Sequence, residues 1–134
     1  MEPGRPLACR GIRGAVSISA NAAEAVSEGT TALLTRMVEE NGVRLEDIAA
    51  AIFTVPDDLP GANPAAVARE VGWGGVPLLL VREHGGDTSV PRCLRLLLLW
   101  NTELRQADVR HAYLGGAAGL RPDLSQTRMT GSPR

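Results

Sequence analysis

Four side chains stand out as candidates for chemistry: Arg13, Glu83, Arg95 and Tyr113. Arg95 interrupts the apolar run Cys93-Leu-Arg-Leu-Leu-Leu-Leu-Trp100. Its guanidinium must reach an edge or find a partner, because burying an unpaired charge is prohibitively costly. A structural ion pair satisfies that demand as well as a ligand does. Arg13 lies between Gly11 and Gly14, small neighbours that leave room for a ligand beside the fork. Glu83 and Tyr113 fall at or near strand ends, although Tyr113 also reads as a core aromatic with a satisfied hydroxyl. No activated nucleophile accompanies them. Ser17, Ser19, Ser27 and Ser89 lack a His–Asp context, and Cys9 and Cys93 sit in no CxxC motif. With His84 and His111 the only histidines, zinc-type ligand spacing is missing and the cysteines read as two reduced thiols. The glycines at 72, 74, 75, 85 and 86 do not form a dinucleotide-binding pattern. What remains is an arginine-rich anion site with one carboxylate, one phenol and no cofactor signature.

Composition narrows the choice further. The 134 residues carry 14 basic and 15 acidic side chains, a formal charge of -1 that lacks the footprint of a general nucleic-acid binder. Every one of the 14 basic residues is arginine. GC-rich coding accounts for that bias, which the Ala, Gly and Pro content shares. Its chemical consequences hold regardless: no lysine can form a Schiff base or serve a Walker-type phosphate loop. Anions must be met by arginine forks, backbone N–H groups or helix ends. The four aromatics offer no stacking platform for single strands, and the apolar run from Leu96 to Trp100 is too short to span a bilayer. Pro6-Leu-Ala-Cys9 has the outline of a lipoprotein cleavage site without the apolar region that must precede one. The chain reads as soluble and cytoplasmic, with neither a nucleic-acid nor a membrane partner.

The elements that must hold these residues follow from periodicity. Residues 1–9 read as an N-terminal extension, 10–126 as one domain and 127–134 as a mobile tail. Arg10 to Ile18 alternates as a strand that puts Arg13 on the face opposite Ile12. Asn21 is the expected N-cap of a long helix, with Glu24 its capping-box partner. Val26, Leu33, Leu34, Met37 and Val38 form that helix's stripe, and Asn41-Gly42 its stop. Ile48 to Val55 predicts a second strand, and Asn63-Pro64 opens a short helix running to about Val71. Val76 to Val81, Cys93 to Asn101 and Val109 to Leu114 complete five strands against two helices. The fold class is α+β or α/β, with the helices on one sheet face. Near-continuous apolar strands imply cover on both faces. Two helices cannot supply it, so another subunit is expected to.

The ordered set Arg10-Gly-Ile-Arg-Gly-Ala15, Asn63-Pro-Ala-Ala-Val-Ala-Arg-Glu70, Val76-Pro77 with Glu83, Cys93-Leu-Arg95, Arg110-His-Ala-Tyr-Leu114 and Leu120-Arg-Pro-Asp-Leu124 closely resembles the monofunctional trimeric chorismate mutases of the AroH type. The resemblance runs from about Arg10 to Gln126. It implies a five-stranded mixed sheet with two helices, assembled as a trimeric pseudo-α/β-barrel with active sites between subunits. It also implies the cofactor-free rearrangement of chorismate to prephenate in aromatic amino-acid biosynthesis. Carried over by position, Arg95 and Glu83 would be the catalytic pair. Arg13, Arg95 and Tyr113 would bind the enolpyruvyl carboxylate, Arg95 would reach the ether oxygen, and Glu83 would accept the ring hydroxyl. Arg69, Leu120, Arg121, Asn63, Ala65 and Leu80 would belong to the wall and cover of the cleft. Asn63 stands where the family pattern has an aromatic, Ala66 where some members carry lysine, and Leu79-Leu80 where a Thr-Cys pair is expected. Two other readings fit an arginine-rich anion site: an imine or enamine deaminase of the RidA type, and a non-catalytic trimer binding small dianions.

Overall fold

The computed structural model describes residues 6–84 and 90–119. A five-stranded sheet in the order β3-β2-β4-β1-β5 forms its centre: β1 (Ala8–Ser17), β2 (Ile48–Val55), β3 (Leu78–Arg82), β4 (Cys93–Thr102) and β5 (Ala112–Leu114). β4 runs antiparallel between β1 and β2, while β1–β5 and β2–β3 are parallel pairs, so the sheet is mixed as expected. Two helices, α1 (Ala23–Asn41) and α2 (Pro64–Ala68), pack into one core with it. Among the described residues no helix is long and apolar enough to cross a membrane.

Alternation along the strands decides which face the helices take. Ile12 and Val16 of β1 and Leu94, Leu96, Leu98 and Trp100 of β4 are buried in the helix-side core. Val26, Leu33, Leu34 and Met37 of α1 meet them at helical spacing. Each such side chain contributes about 1.5–3 kcal/mol on full burial. α1 ends as expected, with Gly42 in the left-handed region at φ 68° and its N–H donating to the Val38 carbonyl. α2 opens as expected too, the Asn63 carboxamide oxygen accepting from the Ala66 N–H at 3.0 Å with proline next.

Four local expectations are corrected. β1 begins at Ala8, inside the expected extension, because Ala8 and Cys9 pair with Thr102 and Asn101 of the long β4. The N-cap of α1 is Ala22, not Asn21, with no side-chain cap bond. A turn closed from the Ala22 N–H to the Ala20 carbonyl sets the entry, and Glu24 serves the first turn through the helix dipole alone. α2 stops at Ala68 and passes into a π turn, Arg69–Trp73, where Val71 and Gly72 leave helical angles. β5 is three residues long, because the Asn41 side chain takes up the backbone of Arg110 and the His111 side chain, in place of its own backbone, takes the β1 N–H. Asn41 brackets Arg110, donating to its carbonyl and accepting from its N–H, while His111 Nδ1 accepts the Arg13 N–H at 2.9 Å.

The other face of the sheet is bare over much of its area in the single chain. Leu79 and Leu97 are 54% and 36% exposed, flanking the half-buried Ile52 in register. The apolar runs are therefore covered on one face by this chain's own helices and on the other only in part.

Candidate active site

Register carries a row of chemically useful side chains across this bare face. Thr54 of β2 is opposite Arg95 of β4, Arg95 is opposite Ala15 of β1, and Ala15 is opposite Tyr113 of β5. Glu83 follows β3 and is tied to β2 by its N–H donating to the Val55 carbonyl at 2.9 Å. Arg13 lies on the same face two residues before Ala15, opposite Leu97. That makes it a diagonal neighbour of Arg95, at a spacing of roughly 7–8 Å. The four candidate residues read from the sequence thus come from four different strands or strand ends and share one face.

The pairing inside the row is specific. Arg95 Nε lies 3.3 Å from Glu83 Oε1, and the Thr54 hydroxyl donates to that same oxygen at 3.1 Å. Glu83 is the more enclosed partner, its side chain 19% exposed against 34% for Arg95. Oε1 therefore meets one hydroxyl donor and one ion-pair contact, and the terminal nitrogens of Arg95 make no hydrogen bond among the described residues. Arg13 likewise has no salt bridge among them. Two guanidinium groups against one carboxylate leave the row net cationic, on a surface otherwise built from Ala, Ile and Leu. Such a surface suits an anion that also carries an apolar body.

Several contacts outside the row hold its members in place. The β1 backbone is clamped at Gly11 and at Arg13 itself. Gln106 accepts the Gly11 N–H and donates to the Gly11 carbonyl, and His111 takes the Arg13 N–H. Arg92, just before β4, sits in the left-handed region at φ 51°. Its N–H donates to Asp58 at 2.8 Å and its Nε to the Ile18 carbonyl at 2.7 Å, contacts that fix where β4 starts. Tyr113 packs with Ala15, Cys93, Ala117 and Val90 in a small second cluster on the same face. A 3₁₀ turn, Gly115–Gly119, closes over this cluster, the Gly116 N–H donating to the Ser17 hydroxyl at 2.7 Å.

The remaining candidate positions do not join the row within one chain. Asn63, Ala65 and Arg69 belong to α2 and its π turn, in the helix layer. Asn63 lines an open cavity of about 370 Å³ between the N-terminal ends of α1 and α2. Leu80 is opposite Phe53 and so shares the helix-side face, and Leu79 is the residue that faces the row. Leu120 and Arg121 lie outside the described residues, as do the tail 127–134 and positions 85–89 of the expected glycine-containing loop. Thr54, Gln106 and His111 were missed by reading the sequence. Strand alternation put Thr54 on the face opposite Phe53, but only the pairing register puts it between Glu83 and Arg95.

Comparison with known proteins gives concordant matches. The family model for chorismate mutase type I matches residues 9–124. Chorismate mutase AroH of Thermus thermophilus is 48% identical over 120 residues, covering 89% of this chain and 98% of that protein. The AroH chorismate mutase of Bacillus subtilis is 34% identical over 122 residues, with 90% and 96% covered. Among solved structures, a chorismate mutase from Clostridium thermocellum superposes with a TM-score of 0.76 at 39% identity, covering 80% of this chain and 96% of that one.

Proposed function

The chain belongs to the chorismate mutase type I family, and from that premise we propose how the sheet-face row performs the isomerisation of chorismate to prephenate. The substrate is a dianion with a ring hydroxyl and an allylic enolpyruvyl ether. In the rearrangement one carbon–oxygen bond breaks as one carbon–carbon bond forms, in a single intramolecular electron reorganisation. No nucleophile is consumed and no proton need be transferred. The reaction requires the enolpyruvyl arm to be held over the ring in a chair-like geometry. It also requires positive charge where negative charge grows on the departing ether oxygen. Orientation and electrostatic preorganisation can supply the acceleration, for which about 8 kcal/mol is the low end of enzymatic catalysis.

In this reading Arg13, Arg95 and Tyr113 bind the enolpyruvyl carboxylate, and Arg95 also meets the ether oxygen. Glu83 accepts the ring hydroxyl. The observation that carries the assignment is the Arg95–Glu83 ion pair made through Nε, with no hydrogen bond from the arginine's terminal nitrogens among the described residues, beside a second arginine. A permanently charged planar fork can hold a carboxylate and an ether oxygen together. The chain functions as a homotrimer in the cytoplasm. The bare face carrying Leu79, Ile52 and Leu97 is closed by neighbouring subunits, a role suited to its apolar surface. A neighbour's α2 region then contributes Arg69, Asn63 and Ala65 to the wall of each site, with Leu80 at the sheet edge and Leu120 and Arg121 in its cover.

Calorimetry with a bicyclic diacid that mimics the transition state tests this reading. A mutase binds the analogue at least about a hundredfold tighter than prephenate. Equal affinity for the two, or ammonia release from an imino acid without turnover of chorismate, would overturn it.

A further inference from the structure

We propose that Thr54 is a positioning residue for the rearrangement. Its hydroxyl fixes the Glu83 carboxylate so that one oxygen faces the substrate hydroxyl and the Arg95 terminal nitrogens stay uncommitted. The inference rests on the chorismate mutase reading of the site and adds a residue to it.

Three observations carry it. The Thr54 hydroxyl donates to Glu83 Oε1 at 3.1 Å, the same oxygen that Arg95 Nε approaches at 3.3 Å. Thr54 is the strand neighbour of Arg95 in the β2–β4 register, so its Cβ lies beside both charged groups. β2 is an interior strand bonded to β3 and β4, and the Thr54 hydroxyl makes no other side-chain hydrogen bond in the described structure. Its backbone role could be filled equally by valine, which suits a strand and has the same shape. The hydroxyl is therefore superfluous to β2 and specific to Glu83.

The physical reason for needing it lies in how guanidinium and carboxylate groups prefer to meet. Their strongest arrangement is the two-point fork, with both carboxylate oxygens accepting from Nε and a terminal nitrogen. Were Glu83 to turn into that arrangement, its second oxygen and one Arg95 terminal nitrogen would both be consumed. Those are the atoms the substrate needs. A hydroxyl donor on Oε1, held by a β-branched side chain with restricted χ1, opposes that turn. Thr54 thus keeps the ion pair single-pointed and the site ready for its ligand.

The test is a double-mutant cycle on the full-length protein: wild type, Thr54→Val, Glu83→Ala and the double variant, with Thr54→Ser as the rescue. Chorismate kinetics and calorimetric affinity for the bicyclic diacid are measured for each, with circular dichroism and light scattering to confirm fold and assembly. Thr54→Val should lose about tenfold in kcat/KM, carried mainly by kcat, because the terminal nitrogens meet charge that develops only in the transition state. Thr54→Ser should recover most of that loss. In the Glu83→Ala background, Thr54→Val should change both readouts less than about twofold, the signature of a residue acting through its partner. Thr54→Val activity within twofold of wild type overturns the role, as does an undiminished tenfold loss in the Glu83→Ala background. A wild-type chain that fails to rearrange chorismate overturns the underlying reading and the inference together, which separates the two failures.

Discussion

Replacing Arg95 by lysine keeps the charge and removes the fork. Arg95 Nε lies 3.3 Å from Glu83 Oε1, and the arginine side chain is about one-third exposed. A lysine offers one ammonium for both tasks. It can pair with the Glu83–Thr54 oxygen or move to the substrate, and either choice leaves one contact unmade. The unmade contact resembles a missing oxyanion donor. The expected loss is therefore at least ~3 kcal/mol of transition-state stabilisation, or roughly 150-fold in kcat/KM. Arg95→Ala loses more, because Glu83 is left without its cation and the ether oxygen without its donor. Loss of the near-ultraviolet absorbance of chorismate gives both constants, and circular dichroism with light scattering checks that each variant folds and assembles like wild type. An intact, assembled Arg95→Lys protein with near-normal kcat/KM would refute the claim that charge in a fixed geometry drives the reaction.

Other consequences are open to direct measurement. Arg95→Ala and Arg69→Ala proteins, each expected to lose activity, should recover part of it when mixed after joint unfolding and refolding if each site draws on two subunits; no recovery would locate both residues in one subunit's site. Leu97→Lys puts a charge on the bare apolar face, and light scattering should then show dissociation of the proposed trimer with loss of activity. Truncation after Gly119 removes Leu120 and Arg121 and should raise KM more than it lowers kcat, since the cationic cover proposed for these residues would supply mostly uniform binding of the dianion; a tenfold fall in kcat at unchanged KM would contradict that. Thr30, 1% exposed in α1 with a hydroxyl that finds no partner among the described residues, can become valine without leaving a polar atom buried. Thr30→Val should raise stability by about 1 kcal/mol in chemical denaturation and leave kcat/KM unchanged.

The contrast between Arg13 and Thr54 explains how much of this site was legible in the sequence. Arg13 could be found because a charge between two glycines in an alternating strand advertises itself, and Ile12 beside it fixed the buried face. Arg95 broke an apolar run and could be found for the same reason. Glu83 and Tyr113 were legible as strand-end residues, without any sign of which neighbours they face. Thr54 is an ordinary strand residue until strand order and register bring β2 between Glu83 and Arg95, and such long-range pairing leaves no local trace. The same holds for Gln106 and His111, which stand in for backbone partners of β1 and thereby shorten β5. The helix boundaries divide along similar lines. Gly42 and Asn63-Pro64 act through their own backbone or side-chain chemistry and were readable. The start of α1 is set by a backbone turn at Ala20–Ala22, which passes over the better capping side chain of Asn21.

The most direct test of the central claim is the conversion of chorismate by the purified, dialysed protein in buffer containing a metal chelator and no added coenzyme. Stoichiometric prephenate should form at least about 10⁶-fold faster than in buffer alone, at the lower end of enzymatic acceleration, and its formation should be insensitive to the chelator. Conversion no faster than the buffer blank, or conversion that appears only when a metal or coenzyme is restored, would contradict it.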